Sequence, residues 1–245
     1  MEQNLKLKPG VGDDKVDEPY RELVGSLMYL MSGTRPDICF ALTYLSRFQE
    51  NPTQEHWQCL KRILRYLSGT INVGLLYTKH QDDPAISCYV DADWANGLVD
   101  RKSTTGFFIK VYGNIVQWCS RKQAIVALSS CEVEYVAACD AAKEVLWLLK
   151  VMADLNLQVQ LPVKMYEDNS GCINVSENPE TRRSKHYDVR YHFLREKVHE
   201  KILKLVKVSS QSQVADTLTK ALGKVLFVEH RRGLGLVNLR GGVET

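Results

Sequence analysis

The chain has 245 residues, 44% hydrophobic and 25% charged, which is ordinary globular composition with enough apolar content for one large core or two small ones. No run approaches the roughly 18 consecutive apolar residues of a membrane span, and Met1 to Asp14 is too polar for a secretory signal, so a soluble, unexported chain is expected. The formal charge of +3 permits a nucleic-acid partner without arguing for one, and seven scattered cysteines (Cys39, Cys59, Cys88, Cys119, Cys131, Cys139, Cys172), never spaced Cys-x-x-Cys, signal neither a disulfide framework nor a zinc site.

Residues 1–18 carry Pro9, Gly10, Gly12 and mixed charge with little apolar content, and read as a flexible lead-in. From Tyr20 onward Leu23, Leu27, Leu30 and Met31 recur at helical spacing. Arg35-Pro36-Asp37 interrupts them, and Ile38, Leu42 and Leu45 resume, giving two helices. Asn51-Pro52-Thr53 opens a third, with Leu60, Ile63, Leu64 and Leu67 on one stripe and Lys61, Arg62 and Arg65 opposite, a solvated or phosphate-contacting face. A strand-like Val73 to Tyr77 closes this helical unit, 19–80, and His80 to Pro84 reads as a linker.

A second unit, 85–222, follows. Strands are predicted over 85–91, 104–111 and 115–119, with Tyr112-Gly113-Asn114 as a hairpin turn. A helix over 130–150 shows an apolar stripe at Tyr135, Ala138, Cys139, Ala142, Val145, Leu146 and Leu149. Next come a strand over 163–167, short helices within 170–200, a strand over 202–208 and a helix over 213–222, leaving 223–245 as a tail. Three antiparallel strands followed by alternating helix and strand imply an α/β fold with a five-stranded mixed sheet flanked by helices.

The acidic residues then acquire addresses. Asp91 and Asp93 end the first strand of this unit, and alternation puts both on the face opposite Ile86, Cys88 and Val90 without choosing between them. Glu132 and Glu134 are about 200° apart on the long helix, so at most one faces a given site. Ser129-Ser130-Cys131-Glu132 fits a capping box in which Glu132 reaches back to the N–H of Ser129, leaving Glu134 the freer carboxylate. Asp168 ends the fourth strand, before Asn169-Ser170-Gly171, and Asp216 lies in the first turn of the last helix.

Clustered carboxylates without a cation repel, and the physical remedy is a divalent metal. Oxygen ligands without a Cys/His cluster favour Mg2+ or Mn2+ over zinc. Two such ions about 4 Å apart suit phosphodiester hydrolysis, activating a water and stabilising the leaving 3′ oxygen. Arg101, Lys102, Ser103 and Thr104, with Arg121, Lys122 and Gln123, are candidate contacts to phosphate or 2′-hydroxyl groups, or plain hairpin termini.

The segments YVDADWANGLVDRKSTTGFF, WCSRKQ, ALSSCEVEYVAA, YEDNSGC, SKHYDVRYHFLRE and QVADTLTKAL, in that order, resemble the ribonuclease H domain of copia-type long-terminal-repeat retrotransposon polyproteins. The segments RELVGSLMYLMSGTRPDICFALTYLSRF and LKRILRYLSGT resemble the thumb and connection region that ends the reverse transcriptase of the same polyproteins. The resemblance implies a ribonuclease H-like fold and a quartet of metal-binding acids: Asp91 at the strand end, Glu134 before an aromatic and Val-Ala, Asp168 before Asn, and Asp216 in Ala-Asp-Thr-Leu. It also implies an RNA/DNA hybrid as substrate, the palm and fingers of the polymerase as partner, no membrane, and a cytoplasmic particle or the nucleus as location. Ser209 to Val214 lacks the histidine that cellular ribonucleases H often carry before the last aspartate, and no Tyr-x-Asp-Asp palm motif is present, so no DNA synthesis is expected. Lys185-His186 and His192 match a family segment and are read as packing or capping residues. Protease, integrase and gag-like segments are absent, as in a fragment or a truncated copy; the alternative reading is a non-catalytic nucleic-acid-binding or polymerase-docking module.

Overall fold

In the computed structural model, which describes residues 5, 7–10, 16–78, 83–94, 100–178 and 189–240 (without side chains for 189–191), the apolar spacing of the first third becomes α1 (Tyr20–Thr34), α2 (Cys39–Leu45) and α3 (Gln54–Gly69). Arg35 precedes a proline and takes φ −127°, ψ 67°, which stops α1. At the start of α3, His56 Nδ1 accepts from the Thr53 N–H at 2.8 Å while its ring stacks on Phe48 at 4.1 Å. Of the predicted α3 stripe, Leu60 and Ile63 are buried, but Leu64 faces solvent at its edge.

The described residues divide into two compact units, Met1–Tyr77 with Lys220–Thr245, and Thr78–Thr219. In the first, Tyr20, Val24, Leu42, Leu45 and Leu60 centre the core. The lead-in contributes to it: Leu7 is buried with its N–H on the Tyr44 hydroxyl at 3.1 Å, and Val16 N–H bonds the Pro52 carbonyl at 2.9 Å. The segment read as a tail forms α7 (Lys224–Gly233) and β7 (Leu236–Asn238), which pairs antiparallel with β1 (Val73–Leu75).

The second unit holds β2 (Ile86–Asp93), β3 (Thr104–Val111), β4 (Asn114–Lys122), α4 (Ser130–Asp154), β5 (Val163–Glu167), α5 (Ser170–Glu177), α6 (Val189–His199) and β6 (Leu203–Lys207). Its sheet runs β4-β3-β2-β5-β6, antiparallel across the first three strands and parallel from β2 to β5 to β6, so the predicted five-stranded mixed sheet is present. The β3–β4 connection is a two-residue loop, Tyr112 (φ 45°) and Gly113 (φ 77°), and Asn114 already belongs to β4. Positive φ at both loop residues matches the right-handed twist of the strands.

Ile86, Cys88, Val90 and Ala92 pack against α4, where Val133, Ala137 and Leu148 join the predicted stripe; Leu149 lies at its margin, and Leu146 is half-buried. The opposite face carries Tyr89 stacked between Phe108 (4.7 Å) and Tyr166 (4.5 Å). The helix predicted over 213–222 is instead two 3-10 turns, Ser210–Ser212 and Val214–Leu218, joined by Gln213 at ψ 87°. They cross the face opposite α4 at Gly106, where an added Cβ would lie 2.5 Å from Thr219 Cγ2 and 2.8 Å from Leu218 Cβ. Gly106→Ala is therefore expected to cost about 1–3 kcal/mol by overpacking, measurable as a lowered urea midpoint. Among the described residues no helix is long and apolar enough to cross a membrane.

Candidate metal centre

The parallel pairing of β2 and β5 brings two strand ends side by side, and each ends in acid. β2 delivers Asp91, whose antiparallel partner is Gly106; β5 delivers Glu167 and then Asp168. From the first turns of α4 comes Glu134. One ligand oxygen from each of Asp91, Glu134 and Asp168 lies within 4.8 Å of the others. Asp91 and Glu134 are only 2% and 7% exposed, so their charges are poorly screened by water. Three carboxylates converging from three distant positions form a hard-oxygen site that fits a Mg2+- or Mn2+-type ion and not a thiolate-seeking one.

The choice of glutamate follows from the helix start. Ser129 Oγ accepts from the Glu132 N–H at 3.2 Å, and the Glu132 carboxylate accepts from the Leu128 N–H at 2.8 Å, one residue earlier than the predicted Ser129 N–H. Glu132 is thereby occupied at the cap, and Glu134 points inward. Asp216 is buried in the second 3-10 turn but is not in the 4.8 Å set. Asp93 is only partly buried and also stands outside that set.

A further acid, Glu167, stands beside these three carboxylates. It is fully buried; Oε1 accepts from the Asn169 N–H at 2.9 Å, and Oε2 has no hydrogen-bond partner among the described residues. Burial, helped by the negative charges of Asp91 and Asp168 and opposed by the Asn169 bond, pushes its carboxyl up to about 8. Between its ordinary 4.5 and that value the folded chain binds more protons than the unfolded one, so stability falls as pH rises through this window. In EDTA, wild type is expected to lose stability between pH 5.5 and 8.5, and Glu167→Gln to lose markedly less, as read by urea unfolding. An equal loss in both would contradict this assignment. In the sequence, only its place next to Asp168 at a strand end hinted at it.

Two hydroxyls reach the centre from the 3-10 segment. Ser210 Oγ donates to Asp168 Oδ2 at 2.7 Å, and Thr219 Oγ1 donates to Asp91 Oδ2. The Lys207 ammonium contacts the Asp168 carbonyl. Asn169 Oδ1 accepts from the Cys172 N–H at 3.1 Å, capping α5 directly after Asp168.

The candidate nucleic-acid residues separate by exposure. Arg101 is exposed, with φ 54°, and Lys102 is half-buried. Arg121 pairs with Asp140 and Lys122 with Asp100, each at 2.7 Å, so both basic groups are partly neutralised. Ser103 and Thr104 are buried, as is Gln123, whose Nε2 donates to Thr105 Oγ1 and the Val133 carbonyl at 3.0 Å. The side chains of Ser103, Thr104 and Gln123 are thus turned away from solvent. His192 is exposed; Lys185 and His186 lie outside the described residues.

No protein-family model matches the chain. It is 43% identical over 232 residues to the retrovirus-related Pol polyprotein from transposon TNT 1-94 of Nicotiana tabacum, covering 91% of this chain and 17% of that protein. It is 38% identical over 228 residues to the corresponding polyprotein from transposon RE2 of Arabidopsis thaliana, covering 92% and 16%. Secreted RxLR effector protein 161 of Plasmopara viticola is 47% identical over 130 residues, covering 53% of this chain and 91% of that one. Among solved structures, the chain is similar to LC11-RNase H1, isolated from compost, at TM-score 0.43 and 16% identity over 56% of the chain and 93% of that protein. The chain thus spans about a sixth of the polyproteins it matches, and it belongs to the family of copia-type retrotransposon Pol polyproteins.

Proposed function

We propose that this chain is a ribonuclease H: it hydrolyses the RNA strand of RNA/DNA hybrids during reverse transcription, with Mg2+ or Mn2+, two ions at full occupancy. The observation that carries this reading is the convergence of Asp91, Glu134 and Asp168 within 4.8 Å at the ends of two adjacent parallel strands. Those three would hold the metal, with Asp216 as the fourth acid of the quartet. When bound, the metal supplies Lewis-acid charge to the attacking water and to the leaving 3′ oxygen.

The chain's own part is to hold its acids close together and partly out of water, and to seat the duplex. Arg101, exposed beside β3, and Lys102 are the proposed phosphate contacts; Arg121 and Lys122 join them by exchanging their carboxylate partners for phosphate. Exposed pairs of this kind are worth at most about 1 kcal/mol, so the exchange is inexpensive. The first unit, which resembles the end of a reverse transcriptase, is the proposed seat for the rest of that polymerase.

The test is a comparison of substrates. With Mg2+ present, the chain should cut a labelled RNA strand paired with DNA much faster than the same RNA paired with RNA, and should leave duplex DNA intact. Equal cutting of all three duplexes would contradict the reading.

A further inference from the structure

The two strand-end aspartates do not stand alone: each is touched by a hydroxyl, and both hydroxyls come from one short segment. Ser209 Oγ accepts from the Ser212 N–H at 3.3 Å, closing the turn that presents Ser210 to Asp168 Oδ2. Nine residues further on, fully buried Thr219 donates to Asp91 Oδ2 and lies 3.2 Å from the Asp216 carbonyl. Between them Gln213, also fully buried, extends Nε2 to the Val90 carbonyl at 2.9 Å and to the Tyr166 carbonyl at 3.5 Å. Those carbonyls lie one residue before Asp91 and two before Asp168, so a single amide bridges the strands that carry them. Gly106 leaves room for Leu218 and Thr219 to sit this close to β3.

We propose that Ser210 and Thr219 are positioning residues that hold the Asp168 and Asp91 carboxylates in metal-binding orientation, with Gln213 keeping the two strand ends in register. This rests on the metal-centre reading above. A hydroxyl donating to one carboxylate oxygen fixes the rotation of the group and leaves the other oxygen directed by the strand. Without it, a carboxylate beside two like charges turns toward solvent, as repulsion favours. The segment is therefore an outer shell for two ligands at once, and it is also the segment that brings Asp216.

The experiment uses the full chain and Mn2+ alone as probe, with affinity from titration calorimetry and stability from thermal unfolding. Ser210→Ala and Thr219→Val remove the hydroxyls; Ser210→Thr and Thr219→Ser keep them. The hydroxyl-less variants should bind Mn2+ about tenfold more weakly, the loss typical of an outer-shell partner, while the two conservative variants keep wild-type affinity. Thr219→Ser gives up a buried methyl group and should melt lower while keeping Mn2+ affinity, so that a loss of affinity in Thr219→Val follows the hydroxyl and not the stability. Ser210 is exposed, so Ser210→Ala remains a folded test even if Thr219→Val does not fold. Unchanged Mn2+ affinity in folded Ser210→Ala and Thr219→Val overturns the proposal. If the expected affinity pattern appears in a chain that cuts no hybrid, the positioning role stands and the ribonuclease reading falls. A wild type that binds no Mn2+ overturns both.

Discussion

Asp168→Asn is expected to slow cleavage of an RNA/DNA hybrid on the order of a thousandfold, the scale set by removing one preorganised electrostatic group from an active site. Asp168 follows β5 directly, with an oxygen inside the 4.8 Å set and its Oδ2 accepting from Ser210. The substitution keeps the side-chain volume, so packing is conserved. It removes one negative charge and replaces one acceptor oxygen by an NH2 donor, leaving a single neutral carbonyl oxygen for a hard cation. Stability should not fall, because Asp91 and Glu134 lose a like charge beside them. Rates at saturating Mg2+ together with thermal midpoints test this. An unchanged rate in a folded variant would mean that the three-carboxylate centre is not where the chemistry occurs.

The largest expected effect on stability lies in the first unit. Arg35 and Asp37, both buried, form a two-pronged pair at 2.9 and 2.8 Å. Arg35 also donates to Thr70 Oγ1 at 2.8 Å, the Tyr66 hydroxyl donates to Asp37 Oδ2 at 2.5 Å, and Arg231 on α7 donates to Tyr66 at 3.0 Å. Burial, and then the neighbouring Asp37 charge, push the Tyr66 hydroxyl up to about 12, consistent with a phenol that stays protonated as a donor. Asp37→Ala strands a buried guanidinium and is expected to cost about 3–5 kcal/mol, whereas replacing Arg35 and Asp37 together by apolar residues should recover much of that. Hydrogen exchange over α1–α3 reads the first unit separately from the second. A loss below about 1 kcal/mol would show the pair to be far more hydrated than its burial implies.

What the sequence made legible follows from periodicity. Alternation along Ile86 to Asp93 set Asp91 opposite the apolar residues that pack on α4, and helical spacing separated Glu134 from Glu132. β3 and β5 have their predicted bounds because a turn or a strong apolar run defines each end. What was not legible depends on contacts distant in the chain. Nothing local marks Ser210 and Thr219 as partners of Asp168 and Asp91, 42 and 128 residues away. Glu167 looks like any strand residue until β2 and β6 bury it. The segment over 213–222 has helical composition, but Gln213 spends its amide on two strand carbonyls, which holds the chain in 3-10 turns. The contacts of the two ends are illegible for the same reason: β7 is three residues long and Leu7 is a single apolar side chain, signals too short for any periodicity to register.

The central claim is that the acids of the second unit, with a divalent metal, cut RNA paired with DNA. The most direct measurement follows an end-labelled RNA strand in such a hybrid with purified chain, first with Mg2+, then with EDTA, then with Mg2+ restored. Cutting that stops with EDTA and returns with Mg2+ is the predicted result. Cutting that persists in EDTA, or none from a folded chain at any Mg2+ concentration, would contradict it.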